Sequence, residues 1–248
     1  MRLIVTILIA LCASGCTKHA LGAWVNVPQE AQSPQQPDGP SGSTEAVDPL
    51  APPPDASFPR MSFPLHAKDP LGNPAEPITL VVVAGEAALV SAFASAGWLV
   101  ADPLTPENTQ RMRSAQTWSE PYPQAPIAPL TYWGREQDAA WQLPGSTVAN
   151  RSRVRVWRSE ERDAKDDWIW ALNVAQDDGF IGVPTVGIPV HHMRPDLDDA
   201  TARLAEALTQ SGAVRRQYRV MGIGPNLGFR NAYGEPYRTA GWVHVLEF

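Results

Sequence analysis

Thiols are nearly absent from this 248-residue chain: Cys12 and Cys16 are the only cysteines, and both lie at the extreme N-terminus. A fold stapled by disulfides is therefore excluded. Net positive charge is missing too. The formal balance of −6 leaves no overall field to gather nucleic acid, whose phosphates require clustered Lys and Arg, so no nucleic-acid partner is expected. The apolar run Leu3–Leu11 is about half the roughly 20 residues needed to span a bilayer, which argues against a retained transmembrane helix. Also lacking are HExxH, paired CxxC, GxSxG and a phosphate-binding glycine loop. With no established catalytic motif and no cofactor that the sequence identifies, the reading leans toward a binding module rather than an enzyme.

What is present begins with an address. Arg2, the apolar run and the small residues of "ASGC" (Ala13–Cys16) follow the order of a secretory signal. "ASGC" resembles a bacterial lipobox, which implies a signal peptide over residues 1–15 and lipidation of Cys16. The several acyl chains of a lipoprotein cysteine hold firmly, because each buried methylene contributes about 0.8 kcal/mol. Thr17 stands where an aspartate would resemble an inner-membrane retention signal, so an outer-membrane lipoprotein facing the periplasm is expected.

Proline is abundant, with 25 residues, and unevenly spread. Residues 16–77, centred on "QEAQSPQQPDGPSGSTEAVDPLAPPPD", carry too few apolar groups to offset chain entropy and read as a disordered tether. Phe58, Phe63 and Leu65 are costly to leave wet, so part of the tether can pack as an arm. The folded domain is expected over 78–248. "ITLVVVAG" (Ile78–Gly85) has the continuous apolar character of a strand buried on both faces. Leu89, Phe93 and Ala96 at helical spacing precede a Gly97 stop. Thr105 and Pro106 open a second helix, and Leu197, Ala200, Leu204 and Leu208 mark a third. Strands mixed with about three helices, without strict alternation, indicate a single compact α+β domain with a mixed sheet.

Three stretches could carry a site. In "GIPVHHMRPDLDD", an extended backbone sends His191 and His192 to opposite faces. Asp196 can cap the following helix, and Asp198 and Asp199 favour its positive end. Packing plus capping explains the whole motif, while a polar binding site, a metal or a histidine general base remains the other reading. In "NRSRVRVWR", Arg151, Arg153 and Arg155 share a strand face with Trp157, and Val154 and Val156 share the other. The guanidinium row is either an anion platform or is screened by Glu160, Glu161, Asp166 and Asp167 just beyond it. Tyr122, Trp133 and Trp141 line a groove or fill the core; Asn231, Tyr233 and Arg238 sit in a glycine-rich loop that could rim a ligand site.

The succession "ITLVVVAG…AFASAGW…ADPLT", "PYPQAPIAPLTYWGREQDAAWQ", "RVRVW", "HHMRPDLDDATARL" and "NAYGEPYRTAGWVHVL" resembles the LssY-type C-terminal domain over about Ile78–Phe248. The "PYP…P…PL…GR.QD" block and "HH..PD.D" are its most specific parts. Ser152 and Arg153 stand where that family often has histidines, and Ala202 and Arg203 where it usually shows a glutamate and arginine pair. The resemblance carries no settled activity. Fusions of the family to phosphatidic-acid-phosphatase-like membrane domains, and its naming after a type I secretion locus, imply work at the cell envelope. His191, His192, Asp196 and Asp198 match the family's motif and, with Arg153 and Arg155, are the candidate binding residues. The expected function is a lipid-anchored accessory module for an anionic ligand, a lipid headgroup or an envelope protein partner. Its rival is a hydrolase of phosphate-containing lipid or envelope substrates using a His/Asp site.

Overall fold

The computed structural model describes residues 48–145, 147–182, 189–231 and 234–248. In chain order these form β1 (His66–Lys68), β2 (Pro74–Pro77), β3 (Leu80–Ala84), α1 (Glu86–Ser95), β4 (Leu99–Val100), α2 (Pro106–Trp118), β5 (Thr131–Tyr132), β6 (Arg135–Glu136), β7 (Ala139–Leu143), β8 (Asn150–Arg162), β9 (Trp168–Gly182), β10 (Pro189–Met193), α3 (Leu197–Gln210), β11 (Arg216–Met221), β12 (Asn226–Arg230), β13 (Pro236–Thr239) and β14 (Trp242–Glu247). The fold is α+β. Among the described residues no helix is long and apolar enough to cross a membrane.

The apolar run that became β3 lies inside an eight-stranded sheet ordered β11-β14-β3-β9-β8-β7-β4, with β10 added beside β9. It pairs parallel with β14 and antiparallel with β9, so the sheet is mixed. Alternation sorts its side chains: Leu80 and Val82 join the cluster under the helices, whereas Val81 and Val83 join the cluster on the opposite face. Both faces are covered, which is why the strand reads as uniformly apolar.

On the helical face, α1 buries Leu89, Ala92 and Phe93, and α3 buries Leu197, Ala200, Leu204 and Leu208, the stripe expected from its spacing. Each such leucine contributes about 1.5–3 kcal/mol. Phe93 stacks on Trp141 at 5.1 Å and meets Trp98 edge-on at 5.8 Å. Gly97 ends the first helix at φ 78°, a conformation that side chains with a Cβ rarely adopt. Thr105 caps α2 by accepting from the Asn108 amide, with Pro106 opening the helix.

The other face is covered by a four-stranded sheet, β2-β1-β5-β6, and by the chain leading into it. Here the tether expectation needs correction. Residues 48–77 are part of the folded domain, so its boundary lies well before Ile78. Phe58 is 4% exposed, its amide donates to the Tyr218 hydroxyl at 2.9 Å, and the Ser57 amide donates to Glu247 Oε1 at 2.8 Å. Along the outer edge of β11, the Arg219 amide donates to the Leu50 carbonyl, while Asp48 and Asp55 pair with Arg219 and Arg216. Polar, proline-rich composition describes a chain's local preference. It does not register a sheet face and a strand edge elsewhere that need covering. Residues 1–47, with the expected signal peptide, Cys16 and the rest of the tether, lie outside the described residues.

Candidate functional site

The site is built on the β8–β9 hairpin. At its turn, Asp163 Oδ1 accepts from the Lys165 and Asp167 amides, and Asp166 adopts φ 66°. An irregularity between Arg158 and Arg162 then shifts the pairing by two residues, which sets Arg151 opposite Asp177, Arg153 opposite Ala175 and Arg155 opposite Asn173. The three arginines do share the face of Trp157, with Val154 and Val156 on the other.

They form no surface platform, however: Arg151, Arg153 and Arg155 are 4%, 8% and 5% exposed. Nor are they screened by the acidic stretch just after them. Asp166 pairs with Arg162, Asp167 reaches Arg215 at 4.0 Å, and Glu160 and Glu161 are exposed. Antiparallel pairing places the partners a strand's length beyond the turn instead of at it. Arg153 Nε donates to Asp177 Oδ1 at 2.9 Å, and its Nη2 reaches Glu76 Oε1 of β2 at 3.4 Å. Asp177 Oδ2 also lies 3.7 Å from Arg151 Nε.

The remaining donors serve a loop. The segment Ala125–Pro129 lies in no strand, so its buried carbonyls take donors from side chains instead of a ladder. Arg151 donates to the Ala125 and Pro126 carbonyls and to Gln142, and Arg155 donates to the Ala128 carbonyl and Asn173. Tyr122 and Trp141 are buried, as the core reading of these aromatics requires, while Trp133 packs edge-on against Phe63.

Between this loop and the arginine row lies a cavity of about 90 Å³. Its apolar side is Ala75, Ile127 and Leu130; Arg153, Glu76 and Asp177 stand on its polar side. Asp69 and Glu235 complete the wall with oxygens already engaged. Asp69 accepts from the Leu71 and Asn73 amides, and Glu235 from the Met193 amide and Asn231 Nδ2. Asn231 therefore sits at the cavity as the glycine-rich loop suggested, Arg238 lies elsewhere, and Tyr233 is outside the described residues. Arg153 Nη1 is buried with no hydrogen-bond acceptor. Burial opposes ionisation of Glu76, but Arg153 and Arg155 outweigh it and hold its carboxyl below the usual range. Burial likewise opposes the Arg153 charge, and Asp177 and Glu76 outweigh that.

The histidine motif follows a different plan. In β10, His191 pairs across from Phe180 and His192 from Gly179. The side chain of His191 lies outside the described residues. His192 Nδ1 is 2.6 Å from Asp178 Oδ1 and the side chain is 43% exposed; Arg194 reaches the second oxygen of Asp178 at 3.3 Å. Asp196 caps α3 through the Asp199 amide and takes Arg238, while Asp198 accepts from Thr239 Oγ1 and the Ala240 amide. The expected joint His/Asp set is thus divided. Asp196 and Asp198 fasten α3 to the β13 end, and the partner of His192 is Asp178, which the sequence reading missed. Among the described residues no three His, Cys, Asp or Glu side chains gather to hold a metal.

The hydrogen bond to Asp178 holds His192 above the ordinary histidine value, outweighing slight burial. The sign follows: the stabilisation is fully present below about pH 6.5 and is lost as pH rises through the raised value. An NMR titration should show the His192 pKa falling in Asp178→Asn and unchanged in Asp198→Asn. The reverse pattern would reinstate the motif as one unit.

A model of the LssY C-terminus matches residues 57–243. No curated protein and no solved structure matches the chain.

Proposed function

The chain belongs to the LssY C-terminus family, and from that premise we propose that it is a lipid-anchored accessory protein of the outer membrane, facing the periplasm, whose arginine cavity binds a ligand bearing an anionic group. The observation that carries this reading is the buried Arg153 Nη1 on the cavity wall. A buried donor without an acceptor costs about 1–3 kcal/mol, more when charged, and an anionic oxygen would recover that cost. The matched span takes in every residue of the cavity wall. The envelope location is supported by Arg2, the Leu3–Leu11 run and "ASGC" at Ala13–Cys16.

Two measurements test it. Cys16→Ser should move the protein from the membrane fraction to the soluble fraction and abolish acyl mass on residue 16. In a thermal-melt panel of small anions at constant ionic strength, at least one should raise the melting temperature, since a ligand at 100 times its Kd adds about 2.7 kcal/mol. A panel with no response removes the ligand-binding reading.

The hydrolase reading has one observation of its own, the short His192–Asp178 bond that orients a half-exposed ring. Turnover of phosphate-containing lipid lost on His192→Ala would establish it. Arg153 and Arg155 would then serve structure.

A further inference from the structure

We infer that the occupant of the arginine cavity is dipolar, a small zwitterion of the amino-acid class whose carboxylate meets Arg153 Nη1 and whose ammonium faces Asp69 and Glu235. This deepens the anion-binding reading and rests on it. Three features select the ligand class: the two kinds of carboxylate on the wall, the acceptor sites they leave open and the size of the space.

Glu76 and Asp177 are held by a guanidinium, since Arg153 reaches them at 3.4 Å and 2.9 Å. Asp69 and Glu235 are not. They are 9% and 6% exposed and stand on the same wall. Asp69 accepts from the Leu71 and Asn73 amides and from Asn73 Nδ2, and Glu235 accepts from the Met193 amide and Asn231 Nδ2, so these donors are all neutral. Both oxygens of each carboxylate accept, as those of an ionised group do. Among the described residues no arginine, lysine or histidine forms an ion pair with either. A carboxylate withdrawn from water calls for a countercharge, and a cationic group on the ligand would bring one.

Room for that group remains at the oxygens. An ionised carboxylate has about four acceptor sites. Three are used at Asp69 and two at Glu235. An ammonium, with donors only, suits the sites left over. It does nothing for Arg153, which spends Nε on Asp177 and Nη2 on Glu76 and keeps Nη1 buried without an acceptor. One ligand answers both needs if it has an anionic oxygen at one end and a cation at the other. The lining as a whole agrees: Glu76, Asp177, Asp69 and Glu235 stand with Arg151, Arg153 and Arg155, so an anion alone would add to an excess of carboxylates.

Size sets the body. An engineered apolar cavity of about 150 Å³ admits benzene. This space is about 90 Å³, with Ala75, Ile127 and Leu130 along one side, so it suits two charged ends joined by one or two methylenes.

The test titrates the full-length protein by calorimetry, at neutral pH and one ionic strength, with glycine, with β-alanine and with the one-charge halves of β-alanine, propionate and ethylammonium. At least one zwitterion should bind tenfold or more tighter than either half. Glu235→Gln removes one carboxylate; it should weaken the zwitterion at least tenfold and leave propionate no weaker. Because that change also disturbs the bonds to Met193 and Asn231, a second variant is Ile127→Trp, which fills the space without altering a charge. It should weaken the zwitterion at least tenfold while the near-UV spectrum stays folded. Propionate as tight as the zwitterion would overturn the dipolar assignment and leave the anion reading standing. Ethylammonium as tight as the zwitterion would overturn both. No binding by any of the four would end this inference, and the anion panel would then judge the anion reading by itself. Zwitterion binding that neither variant weakens would place the ligand elsewhere and end the inference too.

Discussion

Replacing Asp177 with alanine should cost the domain about 3–5 kcal/mol, the range for breaking a buried ion pair by removing one partner. Asp177 is fully buried between Arg153, at 2.9 Å, and Arg151, at 3.7 Å. Without it both guanidiniums stay in the interior, and Arg153 retains only the 3.4 Å contact with Glu76. The loss should appear as a lower urea midpoint with little change in slope. Asp177→Leu combined with Arg153→Met should recover much of it, because removing both charges also removes the uncompensated one. A single-variant cost below about 1 kcal/mol would mean that the network behaves as a solvated surface pair. Acid should act in the same direction through Glu76. Its carboxyl is held below the usual 4.5, so its contribution is complete above that pH and is lost as pH falls through the lowered value.

A chain beginning at Ile78 should fail to fold, whereas one beginning at Asp48 should melt like the full-length protein. The shorter chain lacks Phe58, Ala67, Ala75 and Glu76, all buried, and leaves Tyr132, Trp157 and Tyr218 with one side uncovered. Losing a buried phenylalanine alone costs about 3–5 kcal/mol, and a whole domain has only about 5–15 kcal/mol to lose. It also takes β1 from β5 and a carboxylate from Arg153. Near-UV circular dichroism and urea midpoints of the two chains decide the matter. Native stability of the shorter chain would return the domain boundary to Ile78. The family match beginning at Ser57, beside Phe58, agrees with the longer domain.

What could be read from residues alone was governed by near neighbours. The β3 run, the Thr105 and Asp196 caps, the Gly97 stop and the apolar stripe of α3 are each decided within a few positions along the chain. The two-faced pattern of β8 is of the same kind, and Asp177 was nearly within reach: folding the chain back at the Asp163–Asp167 turn brings Gly179 opposite Arg151, and an irregularity between Arg158 and Arg162 makes up the two-residue difference. Asp178 was near too, 14 residues before His192, but Asp196 and Asp198 were nearer in sequence and drew the pairing. Nothing local linked Glu76 with Arg153, 77 residues on, or Phe58 with Tyr218, 160 residues on. The sequence by itself determined the elements, their caps and which face of each strand is polar, because steric and hydrogen-bonding preferences act through adjacent residues. Only the tertiary structure decided that the arginines are interior, that the proline-rich arm belongs to the core and that His192 pairs with Asp178, because strand order and burial set which distant charges and apolar groups meet.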